Sequence, residues 1–212
     1  MKLHSQPPST VVLVGSWNTS ILFNPKWLSK YVFDGQTEYE IQLPVDNISR
    51  SQGRRIKCKG NSLTIELLPG RLNLIPNEIT EASLYELQEI TQRICDTLIH
   101  TPVCAFGINF SFISERELFP KMENLSIIPK EVFGEEIVVE KTLVSYKLKI
   151  EGIITNIQID RKNENESMCF INFHHDITEL SETKRLLDKH DLIFYFHKAQ
   201  EISEKVTQYV NK

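Results

Sequence analysis

His174-His175-Asp176 is the only dense run of titratable side chains in the chain, and histidine beside a carboxylate is the pairing that hydrolases and nucleases use to move protons. Spacing argues against a compact pair, because alternation along a strand sends His174 to one face and His175 to the other. The run also has an echo. Pro76-Asn77-Glu78 occupies the corresponding place in an earlier copy of the same pattern, which makes Glu78 and Asp176 read as acids at strand-to-helix junctions, where a helix start favours negative charge. A hydrolase or nuclease centred on His174, His175 and Asp176 stays open as one alternative, without an assigned catalytic residue. His190 and His197 lie about two helical turns apart, too far to share a metal, and Cys95 with His100 lacks an orienting carboxylate. Cys58, Cys95, Cys104 and Cys169 show no close spacing of the metal or redox type and read as buried free thiols. No glycine-rich phosphate loop, nucleophile elbow or metalloprotease helix occurs, so the residues call for no cofactor and no metal.

Binding chemistry is better represented. Residues 47–60 carry Arg50, Arg54, Arg55, Lys57 and Lys59 without an acid, and a second lysine pair, Lys147 and Lys149, falls on alternate positions of a later strand. Such residues suit a phosphate backbone or an acidic protein surface; lysine and arginine also blunt an exposed strand against unwanted pairing. The net charge of −4 supplies no general attraction to nucleic acid or anionic membrane. Two copies of Ile-Asn-Phe place Asn109 and Asn172 on strands that could be neighbours and line one surface.

The elements that must position these residues repeat. Residues 77–83 return as 175–181, with Ile79 and Ile177 98 positions apart, and weaker echoes at offsets of 92 to 100 link 11–15 with 103–107, 22–26 with 118–121 and 30–33 with 130–133. In the first copy strands are expected at 10–17, 39–43, 54–59, 63–67 and 71–75, with a short helix opened by Pro25. A long helix over 80–98 buries Leu84, Leu87, Ile90, Ile94 and Leu98. The second copy predicts a strand at 103–112, a short helix at 115–125 and strands at 137–141, 143–150, 153–160 and 168–174. A polar loop at 161–167 and one helix over 186–210 complete it. Alternation exposes Glu38, Glu40, Gln42, Arg55, Lys57, Lys59, Ser145, Lys147, Lys149, Asn156, Gln158 and Asp160 on the face away from the helices. Phe194 and Tyr195 are expected on the outside of the last helix. With 41% hydrophobic and 25% charged residues over 212 positions, a sizeable core is available. No apolar run approaches a membrane span and the first residues lack the apolar stretch of a signal peptide, so the expected address is the cytoplasm.

Strand, helix, four strands and helix, twice over, resembles the duplicated saddle of the TATA-box-binding protein family, with 63–98 around Pro69-Gly70-Arg71 the best local match. The resemblance is topological and covers most of 10–210. It implies an α+β chain of two tandem β-α-β4-α repeats, at 10–100 and 101–212 after a tail at 1–9. These would form one curved antiparallel sheet with helices on one face and a pseudo-twofold axis. That family's DNA-contacting residues are not retained: its wedge phenylalanines correspond to Leu67 or Leu68 and to Ile159-Asp160, and its strand-start asparagines to Ser9-Thr10 and Thr101-Pro102. The expectation is therefore a non-catalytic binding or assembly subunit of a protein complex, acting through the open sheet face or residues 44–60. Its partner would be another protein or a further copy of the chain, with no membrane; nucleic-acid binding through the basic cluster is the alternative.

Overall fold

The computed structural model describes residues 4–6, 10–33, 35, 40–42, 56–59, 62–114, 143–163 and 166–210. Its first elements are β1 (His4–Gln6), β2 (Val11–Gly15), α1 (Thr19–Leu22), α2 (Pro25–Tyr31), β3 (Glu40–Gln42), β4 (Ile56–Lys59), β5 (Leu63–Leu68), β6 (Arg71–Pro76) and α3 (Glu81–Thr97). They are followed by β7 (Val103–Ser114), β8 (Leu143–Ile150), β9 (Ile153–Asn163), β10 (Glu166–Asp176), α4 (Leu180–Lys189) and α5 (Leu192–Val210). The chain is α+β with antiparallel strand pairing. It divides into two compact units, one of Pro7–Asn109 with Phe173–Tyr195, the other of Met1–Gln6, Phe110–Asn172 and Phe196–Lys212.

In the larger unit β3, β4, β5 and β6 form a meander and β2 lies between β6 and β7. Local chemistry explains the elements. Asn24 precedes Pro25, and its Oδ1 accepts from the backbone N–H groups of Lys26 at 3.0 Å and Trp27 at 3.2 Å, so α2 starts there. Thr80 and Ser83 cap α3 reciprocally, and Leu84, Leu87, Ile90 and Ile94 form its buried stripe. That stripe joins Leu13, Ile65, Leu72, Leu74 and Phe106 in the core.

The smaller unit has the order β7, β10, β9, β8, with β1 antiparallel to β7. β8 and β9 form a hairpin in register from Leu143 opposite Asp160 to Ile150 opposite Ile153. Glu151 (φ 52°) and Gly152 (φ 87°) both turn left-handed, as a two-residue hairpin loop with right-twisted strands requires. Phe196 of α5 packs against Phe110 and Phe112, with ring centroids 5.4 and 6.4 Å apart.

Four expectations are corrected. The helix expected over 186–210 is two helices: His190 is extended, and Asp191 Oδ1 accepts from the Phe194 N–H at 2.6 Å as a new N-cap, with α4 beginning earlier at Leu180. The loop expected at 161–167 is largely strand, since β9 runs to Asn163 and β10 resumes at Glu166. Asp160, expected in solvent, is buried, because alternation assigns a face but not what covers it. Cys95 and Cys169 are buried, but Cys104 is exposed. The helix expected at 115–125 and the strand at 137–141 lie outside the described residues.

Candidate docking surface

β8 ends the strand order of its unit, and among the described residues it pairs only with β9. Both of its faces are open. Residues directly opposite in an antiparallel pair share a face, so Val144, Tyr146 and Leu148 continue the face of Ile159, Ile157 and Thr155. Those three β9 side chains are buried, yet Tyr146 is 50% and Leu148 43% exposed. On the other face Leu143 is 48% exposed, and Ser145, Lys147 and Lys149 follow it into solvent. No hydrogen bond or ion pair holds Lys147 or Lys149 among the described residues, whereas Lys184, Lys198 and Lys205 each meet a carboxylate. Opposite Lys147 stands Asn156, whose Nδ2 donates to Asn172 Oδ1 at 2.8 Å. Among the described residues, an unpaired strand edge, exposed apolar side chains and cations without a carboxylate therefore coincide on β8.

The other candidate residues separate. Arg50, Arg54 and Arg55 lie outside the described residues; Lys57 and Lys59 are described only as backbone of β4, paired with Gln42 and Glu40. His174 Nε2 lies 3.1 Å from Asp176 Oδ1 at the surface. His175 faces the other way, its Nε2 3.0 Å from the Tyr195 hydroxyl and its ring stacked on Phe106. The two imidazoles thus have different partners and form no joint proton relay. Burial, then the neighbouring His174 and His190, push His175 down to about 4, and burial pushes the Tyr195 phenol up to about 12. Both are thereby neutral at physiological pH, which suits a structural bond in an aromatic cluster completed by Phe173 and by His190 stacked on Phe194. Tyr195, expected on the outside of its helix, is fully buried. Asn109 is buried too, and Asn172 takes Asn156 as its partner. Burial holds the Cys95 and Cys169 thiols near 12, far from thiolate reactivity.

Residue spacing picks out Lys147 and Lys149 but not Leu143, Tyr146 and Leu148. Their alternation is legible; their exposure depends on β8 standing at an edge, which no local pattern encodes. No group of three or more His, Cys, Asp or Glu side chains arranged to hold a metal occurs among the described residues. No helix among them is long and apolar enough to cross a membrane. No protein-family model and no curated protein matches the chain.

Proposed function

We propose that the chain is a non-catalytic binding or assembly subunit of a protein complex and that the β8 edge is its docking strand. The observation that carries this reading is the coincidence on one edge strand of Tyr146 and Leu148, both near half exposure, with Lys147 and Lys149, which meet no carboxylate among the described residues. Edge strands that are not for docking are normally short, bulged, covered or blunted by charge; this one runs for eight residues in unbroken register with β9, and its two lysines share one face while Tyr146 and Leu148 leave the other apolar.

A duplicated saddle remains the architecture we propose for the whole. Its support is that each unit orders its strands alike: β2 beside β6, then β5, β4 and β3; and β7 beside β10, then β9 and β8.

A photo-crosslinking phenylalanine analogue at position 146 tests the docking reading in cells, with the same analogue at Tyr85 as control. Tyr85 is 56% exposed on α3, so accessibility alone does not distinguish the sites. A discrete adduct with the same protein from 146 and not from 85 is expected. Equal labelling from both, or none from 146, refutes the assignment.

A further inference from the structure

We infer that the occupant of the β8 edge is an extended segment of a partner protein in which acidic and apolar residues alternate. The inference rests on the docking reading above and names the chemistry of what docks.

A strand added to an edge places successive side chains on opposite faces, directly across from those of the strand it joins. On one face it meets Ser145, Lys147 and Lys149; on the other it meets Val144, Tyr146 and Leu148. Carboxylates on alternate residues reach the lysines, and apolar side chains between them extend the buried face of Ile157 and Ile159 over Tyr146 and Leu148. Shifting the segment by one residue would set its carboxylates against Tyr146 and its apolar side chains against the lysines, so the pattern fixes register as well as identity. A second copy of β8 fits poorly. Its sequence, Leu-Val-Ser-Tyr-Lys-Leu-Lys-Ile, contains no acid, and a twofold antiparallel pairing collects four lysines on one face along the seam.

The test uses the full chain and three fluorescent peptides of about eight residues, the length of β8. One alternates valine with glutamate, one valine with lysine, and one serine with glutamate; binding is read by fluorescence anisotropy. The valine–glutamate peptide is expected to bind at least about tenfold more tightly than either control, with affinity falling as salt is raised. Lys147→Glu with Lys149→Glu should transfer the preference to the valine–lysine peptide, and Lys147→Gln with Lys149→Gln should abolish the charge preference; circular dichroism confirms that each variant is folded. Equal affinity for the valine–glutamate and valine–lysine peptides, no binding of any peptide, or a concentration-dependent dimer that the glutamate variant dissociates overturns the inference. If the 146 crosslink forms while charge preference is absent, the docking reading stands and the acidic partner falls. If both are absent, both fall.

Discussion

The bond between His175 and Tyr195 makes the stability of the larger unit depend on pH in a calculable way. His175 is held near 4, against an ordinary imidazole value near 6.5, chiefly because burial penalises its charged form. A histidine depressed in the fold stabilises it fully above the ordinary value, and that contribution is lost as pH falls toward the depressed one. Between about pH 8 and about pH 5 the unfolded chain takes up a proton at this site that the native chain refuses. At full strength the difference lowers stability by about 2 kcal/mol at the acid end. Solvent reaches part of the ring and screens it, so about 1 kcal/mol is the expected loss. His175→Gln removes the titration while leaving the Tyr195 hydroxyl a neutral hydrogen-bond partner. Urea unfolding followed by tryptophan fluorescence reports the correct region, because both tryptophans, Trp17 and Trp27, lie in the same unit as His175. The native chain should lose about 1 kcal/mol more than the variant between the two pH values, the other titrating groups cancelling in the comparison. Parallel losses, or an NMR titration in which the His175 ring protonates near 6.5, would refute the account of this cluster.

Further outcomes follow from single contacts. Gly15→Ala would drive its Cβ into the Pro102 carbonyl and to 2.9 Å from Val103 Cγ1, a clash with backbone that should cost about 3 kcal/mol in urea unfolding. Gly70→Ala, at φ 70° with only Gly15 O within 4 Å, should cost about 1 kcal/mol from backbone strain alone. Asp191→Ala removes the acceptor for the Phe194 N–H and should lower stability by about 1 kcal/mol, with faster amide exchange in the first turn of α5. Leu148→Thr at the open edge should change stability by less than about 0.5 kcal/mol, whereas Leu74→Ala in the core should cost about 2–5 kcal/mol.

Helices that carry their own punctuation are legible in the amino-acid sequence. Thr80 and the Leu84, Leu87, Ile90, Ile94 stripe locate α3 to within a residue at each end, and Pro25 locates the start of α2. The division of the last helix is hidden because Leu186, Ile193 and Phe196 keep a helical spacing across it, so periodicity runs unbroken through a chain that bends. Asp191 before Leu192 is the signal that marks it, a capping residue ahead of an apolar run. His174 and His175 separate as alternation requires, whereas the burial of Asp160 and Tyr195 depends on what packs over them and lies beyond any local pattern. The edge strand β8 shows the same boundary. Its lysines can be named from spacing, but its openness arises from the order of strands in space.

That openness has a geometric cause in the smaller unit. A helix with its side chains is about 10 Å across and strands lie about 4.8 Å apart, so a single helix covers about two strands. On α5, Ala199 and Ile202 are buried, and Phe196, one turn before Ala199, is committed to Phe110 and Phe112 of β7. β8 is the fourth strand counted from β7. Two residues on from Phe196, Lys198 meets Glu151 in the β8–β9 turn at 2.8 Å, yet Tyr146 and Leu148 stay about half exposed. A partner strand that supplied backbone pairing alone would satisfy the edge but leave these two side chains half wet. Its apolar residues must therefore lean back over β8, and its acids need only reach the lysines on the opposite face. The two faces of β8 thus ask for different things from one segment, which is the condition under which alternation, rather than overall charge or hydrophobicity, decides what binds.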